Sequence, residues 1–168
     1  TRTGQAARYS LDGHRIKGTN RFLHTSLGIE NISQCLFGLH LLMVDESRPI
    51  GLVESEKTAV IMAGKLPSYS WMATCGKDSK LIEKVYPLKG KKVVAFPDGD
   101  AFELWSNKLS PYGFKVSNAL QKYLTPDEQK NGKDLADFIT KPQPYFETLK
   151  DGRIIEMHPA GYPLDWAI

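Results

Sequence analysis

The stretch Lys-Val-Val-Ala-Phe-Pro-Asp-Gly-Asp, residues 92–100, and the earlier stretch Pro-Ile-Gly-Leu-Val-Glu, residues 49–54, decide the fold. Each is a short apolar run that stops at a carboxylate: Glu54 in the earlier stretch, Asp98 and Asp100 in the later one. Continuous apolar runs are typical of strands buried on both faces of a parallel sheet. Open α/β sheets bind ligands at the carboxyl ends of such strands, so we expect the three acidic side chains to share one rim.

The alternation of the remaining runs predicts an α/β domain with a mainly parallel sheet of about four strands flanked by helices. Ser55 is the expected N-cap of the first helix, which Gly64 and then Pro67 are expected to close. Residues 38–44 fit either a strand or a short helix, and Thr125 begins a later helix with capping-box spacing. The expected strands are 50–53, 69–73, 92–96 and 114–117, and the expected helices between them are 56–63, 79–86 and 101–109.

Length and composition agree with one compact α/β domain that carries two extensions. The chain has 168 residues and 41% apolar content, enough for one sizeable core. We place a basic extension at residues 1–34, the α/β domain at 35–140, and an irregular tail packed on the domain at 141–168. No apolar stretch is long enough to span a membrane, and no secretory leader is visible, so the expected compartment is the cytoplasm.

The N-terminal segment is strongly basic. Residues 1–21 contain five basic residues and one acidic residue, a net charge of +4 against +3 for the whole chain. Such an arm, and Arg15 and Lys17 in particular, is expected to contact nucleic-acid phosphates, because displaced counterions supply affinity that is independent of sequence. The alternative is a solvated tail, or an edge hairpin around an Asp12-Gly13 turn.

The three rim carboxylates, with no histidine or cysteine beside them, indicate a site for a hard divalent cation. Magnesium takes oxygen ligands and is typically held by one or two carboxylates together with substrate phosphates. We therefore predict that Glu54, Asp98 and Asp100 bind magnesium, with manganese as the alternative metal. Lys57 and Lys77 are the basic side chains expected to face the same rim and hold a phosphate.

Each of these residues also has a purely structural alternative. Asp100 and Glu103 have the spacing of a capping box, which would make Asp100 a helix cap. Asp98 lies in a Pro-Asp-Gly turn sequence, and Glu54 would interact favourably with the dipole of the following helix. For Lys57 the alternative is an ion pair with a neighbouring carboxylate.

The two cysteines do not indicate a zinc site. Cys35 and Cys75 have neither a Cys-x-x-Cys spacing nor a Cys/His spacing, so no structural zinc is expected. Cys35, which precedes Leu36 and Phe37, is expected to be a small buried hydrophobic residue. Neither cysteine is assigned a catalytic role.

Three segments together resemble the Toprim domain, which occurs in primases, topoisomerases and some nucleases. The resemblance covers residues 35–139 and points to primase-related Toprim-like proteins of bacterial mobile elements. Ser55 is a departure, since many Toprim sequences have glycine there. The three segments are Glu54-Ser55-Glu56-Lys57-Thr58-Ala59, Phe96-Pro97-Asp98-Gly99-Asp100 and Gly132-Lys133-Asp134-Leu135-Ala136-Asp137.

The resemblance implies a Toprim-like, Rossmann-type fold and a shared magnesium site. In the Toprim signature, a glutamate after the first strand and a later Asp-x-Asp share the metal, which implies catalytic as well as metal-binding roles for Glu54, Asp98 and Asp100. It adds Asp134 as a further acid. The implied activity is that of a DNA primase: nucleotidyl transfer from nucleoside triphosphates on a single-stranded DNA template during replication, within a larger replication protein or helicase complex.

Two other functions stay open. A metal-dependent Toprim nuclease would use the same acids with water as the nucleophile. A non-catalytic, nucleic-acid-binding accessory domain would keep the acids as structural groups, or as metal ligands without turnover. A topoisomerase is not expected, because only the metal motif suggests one and nothing indicates strand-passing domains or a nucleophilic tyrosine.

Overall fold

A computed structural model of the chain describes residues 35–140 except 78 and 79, and the strands at 145–148 and 154–157. It also describes short pieces of the N-terminal segment, namely residues 5–6, 8, 10–11, 16, 18, 21–22 and 26–29. The chain divides into two compact units, residues 1–35 and residues 36–168. Within the described residues, no helix is both long enough and apolar enough to cross a membrane.

The first unit contains a short antiparallel pair of strands. Strand β1 (Gln5–Ala6) pairs with β2 (Arg21–Phe22), and the Ile16 amide donates a 2.9 Å hydrogen bond to the Arg8 carbonyl oxygen. The predicted Asp12-Gly13 turn lies outside the described residues.

The second unit is built on a four-stranded, all-parallel sheet. Its strands are β3 (Ile50–Val53), β4 (Ser70–Ala73), β5 (Val93–Ala95) and β6 (Lys115–Val116), in the order β4-β3-β5-β6. The predicted α/β fold with a parallel sheet is therefore confirmed. Because β3 and β5 are neighbours, the residues that follow these two strands meet at one edge of the sheet.

Helices connect the strands and continue after the last of them. Residues 38–44, expected as a strand or a short helix, contain a 3₁₀ helix at Leu39–Met43, and further 3₁₀ turns lie at Tyr86–Leu88 and Ser110–Tyr112. The α-helices are α1 (Glu56–Lys65), α2 (Leu81–Val85), α3 (Phe102–Leu109), α4 (Ala119–Tyr123), α5 (Pro126–Lys130) and α6 (Leu135–Thr140).

The start of α1 is as predicted, but its end is not. The Ser55 hydroxyl accepts a 3.2 Å hydrogen bond from the Thr58 amide, which satisfies a backbone donor at the helix start. Gly64 lies inside the helix instead of closing it. The helix continues to Lys65, and the Leu66 amide still donates to the Met62 carbonyl oxygen at 2.7 Å. A helical glycine costs only about 1 kcal/mol relative to alanine, so tertiary packing of the helix can override it.

Both faces of the sheet are covered, which explains why its strands read as continuous apolar runs. Successive strand residues point to opposite faces. On one face, Leu52 and Ala95 pack in a core that includes Trp105 from α3. On the other face, Val53 packs in a second core that includes Met62 from α1. The layers are therefore helix, sheet and helix.

Two sequence predictions are wrong. Cys35 is exposed, because the adjacent Leu36 fills the core position and leaves only 2% of its surface accessible. Residues 141–168 are not an irregular tail: β7 (Tyr145–Thr148) and β8 (Ile154–Met157) pair in an antiparallel sheet. Their isoleucine and aromatic residues favour strands, and the intervening sequence contains an Asp-Gly pair, which is a hairpin signal.

Candidate active site at the carboxyl edge of the sheet

Acidic residues from separate segments converge at the carboxyl edge of the parallel sheet. Glu54 follows β3 directly, and Asp98 and Asp100 follow the neighbouring strand β5. Asp134, which immediately precedes α6, also contributes its charge to the surroundings of Glu54 and Asp98. The four acids expected from the sequence thus lie in one electrostatically coupled group.

Glu54 and Asp98 share a hydrogen bond between their carboxyl groups. Burial, together with the negative charges of Glu54, Asp134 and Asp100, raises the pKa of Asp98 from 3.8 to about 8. Burial also raises the pKa of Glu54, and Lys77 partly opposes that shift. Asp98 is therefore the proton donor in this pair, and Glu54 is the acceptor, because two like charges in contact cannot both ionise cheaply.

Asp100 is held by Lys77, whose ammonium group forms an ion pair with one of the Asp100 carboxylate oxygens. Lys77 follows a tightly held turn after β4. The Cys75 amide donates to the Glu54 carbonyl oxygen at 2.8 Å, and the Trp105 indole N–H donates to the Lys77 carbonyl oxygen at 2.9 Å. Cys75 has a φ of 61°, a left-handed conformation that non-glycine residues seldom adopt. This backbone places Lys77 at the acidic edge.

Asp134 is the most deeply buried of the four acids, with 7% of its surface accessible. One carboxylate oxygen accepts a 2.8 Å hydrogen bond from the Thr58 hydroxyl and lies 3.0 Å from the Lys57 ammonium. The other accepts from the Asp137 amide at 2.7 Å. Burial alone would raise the pKa of Asp134, but these partners together hold it below its usual value.

The Asp98-Gly99-Asp100 turn is fixed from two sides. The Gly99 amide donates to the Lys133 carbonyl oxygen at 2.9 Å, and the Gly99 carbonyl oxygen accepts from the Gln121 side chain at 2.9 Å. A Cβ at Gly99 would lie 2.7 Å from the Cα of Gln129. Only glycine allows this approach, so residue 99 lets the α4–α5 region hold the two aspartates in place.

The structural alternatives raised by the sequence have separate outcomes. Asp100 does not cap α3: the N-cap is Ala101, and no side chain caps that helix. Asp98 does begin a turn, in which its carbonyl oxygen accepts from the Ala101 amide at 2.9 Å, while its side chain is directed to Glu54. Lys57 does form an ion pair, with Asp134 at 3.0 Å and Asp137 at 3.6 Å.

The remaining candidates fall outside this group or outside the described residues. Arg15 and Lys17, expected to contact nucleic acid, lie outside the described residues. Glu128 caps α5 through a complete capping box with Thr125, as its spacing predicts. It is therefore a helix cap.

Several supporting residues were not predicted from the sequence. Thr58 bonds to Asp134 across 76 positions of the chain, Gln121 holds Gly99, and Gly132 lies beneath Asp100, where a Cβ would be 3.3 Å from a carboxylate oxygen. The one local signal was Thr58 itself, a polar residue on the first turn of α1 that is 1% exposed. Polar groups that are buried must be hydrogen-bonded, but sequence alone does not name the partner.

The group contains only hard oxygen donors, which suit magnesium or manganese rather than zinc. Among the described residues, no group of three or more His, Cys, Asp or Glu side chains is arranged to hold a metal ion as it stands. Two contacts account for this: Asp98 keeps a proton shared with Glu54, and Lys77 covers Asp100. Loss of that proton and departure of that lysine would expose carboxylates from three positions at one edge.

Comparison with known proteins gives one match. A family model described as "Domain of unknown function (DUF6371)" matches residues 1–99, which is more than half of the chain. The matched range includes Glu54 and Asp98 and ends just before Asp100. No curated protein and no solved structure matches the chain.

Proposed function

The chain belongs to the DUF6371 family, and we propose that it is a Toprim-like enzyme that performs magnesium-dependent phosphoryl transfer on nucleic acid. The specific activity that we propose is primase-like: addition of nucleotides to a growing strand on a single-stranded DNA template. The observation that carries the proposal is the meeting of Glu54, Asp98 and Asp100 at the carboxyl edge of the parallel sheet.

The raised pKa of Asp98 supports a metal at this position. Burial and three neighbouring carboxylates keep its proton on up to about pH 8, so the group holds more negative potential than its lysines neutralise. A divalent cation would relieve that repulsion and replace the proton. The oxygen-only donor set of Glu54, Asp98 and Asp100 fits magnesium, which commonly keeps some of its waters and binds substrate phosphates at the same time.

Each residue then has a definite role. The bound metal would supply charge neutralisation at the phosphate oxygens. Asp98 and Asp100 hold it, and Asp98 must give up its proton to do so. Glu54 either joins them or acts as the general base toward the attacking 3′-hydroxyl, for which a raised pKa is well suited.

The two lysines have different roles. Lys77, released from Asp100, is the cation available to the substrate phosphate, since its backbone is already held at the edge by Glu54 and Trp105. Lys57 stays with Asp134 and Asp137. Asp134 therefore acts as a positioning residue that fixes α1 against α6, close to the reacting groups.

The experiment is template-directed incorporation of labelled nucleotide on single-stranded DNA, with magnesium and with EDTA. We expect incorporation that requires magnesium and falls at least about a hundredfold in Asp100→Asn, because a metal ligand contributes several kcal/mol to the transition state. Glu83→Gln is the matched control: it removes one negative charge from an exposed position on α2.

The same reactions separate the alternatives. Magnesium-dependent strand cleavage without incorporation would replace the primase with a Toprim nuclease. If DNA binding occurs but neither reaction does, and if Asp98→Ala leaves that binding unchanged, the domain is a nucleic-acid-binding accessory module and the catalytic proposal is wrong.

A further inference from the structure

A cavity of about 220 Å³ opens at the amino edge of the parallel sheet, opposite the acidic group. The residues that line it include Tyr69, which precedes β4, and Lys91 and Lys92, which precede β5. Gly113 and Lys115, at the start of β6, complete this part of the lining. The proposed phosphoryl-transfer site uses none of these residues.

The sheet register makes this cavity a fixed feature. Trp71, Gly51, Val94 and Lys115 are partners across the four strands, so their side-chain positions lie on one face. A Cβ at Gly51 would lie 2.5 Å from the Trp71 ring, which shows that this ring lies directly over β3. The Tyr69 ring packs next to it, with ring centroids 5.4 Å apart.

The other side of the cavity is cationic. Lys91 forms an ion pair with Glu46 at 2.8 Å. Within the described part of the chain, Lys92 and Lys115 make no ion pair, and no acidic side chain lines the cavity. Two uncompensated ammonium groups beside a partly buried tyrosine ring thus face one small space, while the carboxyl edge of the same sheet is acidic.

We propose that this cavity binds a nucleoside phosphate unit, either as a free nucleotide or as one residue of a nucleic-acid strand. Lys92 and Lys115 bind the phosphate as point charges. The Tyr69 ring contacts the base or sugar, as aromatic side chains do at single-strand sites. Burial also raises the pKa of the Tyr69 hydroxyl, so it stays a hydrogen-bond donor at neutral pH.

This site does not depend on magnesium, which separates it from the acidic edge. We therefore expect the full-length protein to bind dAMP or a short oligodeoxyadenylate in EDTA, measured by calorimetry. Binding of dAMP identifies a free nucleotide as the ligand, and binding of the oligonucleotide alone identifies a strand. Deoxyadenosine, which lacks the phosphate, is expected not to bind.

Two sets of variants test the lysines in opposite directions. Lys92→Gln with Lys115→Gln is expected to weaken binding at least about tenfold. It should also reduce the salt dependence of oligonucleotide affinity by about 0.7 per lost phosphate contact. Glu46→Gln is expected to tighten binding, since it releases Lys91 toward the cavity. Lys122→Gln, at an exposed position on α4 outside the lining, is the charge-matched control.

Circular dichroism establishes that each variant is folded. The proposal is overturned if neither dAMP nor the oligonucleotide binds in EDTA, or if the folded double variant binds as tightly as the wild type. It is also overturned if a short polyglutamate binds as tightly as dAMP, because the cavity would then recognise negative charge alone.

Discussion

At the residue scale, Asp98 is the position where the demands of folding and of the proposed chemistry conflict most. Its carboxyl group is largely buried among three other carboxylates, and its pKa is raised from 3.8 to about 8. The folded protein therefore retains a proton that the unfolded chain has already lost at neutral pH. By linkage, the free energy of unfolding falls as pH rises through this interval.

Asp98→Asn is expected to stabilise the protein at pH 8 in EDTA. The amide removes the cost of ionisation and still donates a hydrogen bond to Glu54. The gain should be at least about 1 kcal/mol, since one pKa unit corresponds to about 1.4 kcal/mol. Urea unfolding of wild type, Asp98→Asn and the control Glu83→Gln from about pH 5 to pH 9 measures it. Wild-type and Asp98→Asn stabilities that run parallel with pH would contradict this assignment.

Thr58→Val tests the support of the buried carboxylate at Asp134. Removing the hydroxyl takes away a 2.8 Å hydrogen bond, and we expect a loss of about 1–3 kcal/mol in the free energy of unfolding. Because the pKa of Asp134 is lowered in the folded state, its stabilisation is present at neutral pH and is lost in acid. The difference between Thr58→Val and wild type should therefore shrink as pH falls.

Lys57→Met is the comparison for that measurement. The Lys57 side chain is 58% exposed, and exposed ion pairs contribute only about 0–1 kcal/mol. Chemical denaturation at neutral pH should therefore show the smaller loss for Lys57→Met. A larger loss for Lys57→Met than for Thr58→Val would show that the ion pair, and not the hydroxyl, stabilises Asp134.

The sequence identifies the acids but not their partners. Glu54, Asp98 and Asp100 could be predicted as neighbours because each follows a buried strand. The bond from Thr58 to Asp134 and the ion pair of Lys77 with Asp100 depend on how distant segments pack. No local pattern encodes those distances.

At the element scale, the turn that carries the two aspartates depends on Gly99. Gly99→Ala would place a Cβ 2.7 Å from the Cα of Gln129, which is backbone and cannot move aside cheaply. We expect a loss of about 1–3 kcal/mol in stability and weaker metal binding, because Asp98 and Asp100 would be displaced. Thermal unfolding and magnesium titration of the same samples measure both effects.

Gly64→Ala is the matched control for that substitution. A Cβ at Gly64, inside α1, meets no atom within 4 Å. This change should stabilise the protein by about 0.5–1 kcal/mol, since alanine favours the helix over glycine. Equal effects of the two substitutions would show that Gly99 has no special packing role.

Strand and helix positions were predictable wherever local chemistry is decisive. The apolar runs at β3 and β5, the Ser55 cap of α1 and the Thr125 capping box of α5 are all as expected. The end of α1 was not predictable, because packing carries the helix through Gly64. The β7–β8 pair was missed because the Pro-Gln-Pro sequence before it was read as irregular, although proline excludes only the residues it occupies.

At the scale of the whole molecule, the two compact units suggest a division of labour. Residues 1–35 include the strongly basic segment, and residues 36–168 hold the sheet and the acidic edge. Deleting residues 1–35 is expected to leave magnesium binding intact. It should weaken binding to single-stranded DNA and lower its salt dependence, since phosphate contacts are lost. Fluorescence anisotropy at several salt concentrations tests this, and an unchanged salt dependence would exclude the arm from the interface.

The central claim is that the carboxyl edge of the sheet is a metal site. Calorimetric titration of magnesium, and then manganese, into wild type and into Asp98→Ala with Asp100→Ala tests it most directly, with circular dichroism to establish folding. We predict that wild type binds with release of the Asp98 proton, so the measured heat depends on the ionisation enthalpy of the buffer, and that the folded double variant does not bind. Equal binding by both proteins, or no binding by wild type even with single-stranded DNA present, would contradict the claim.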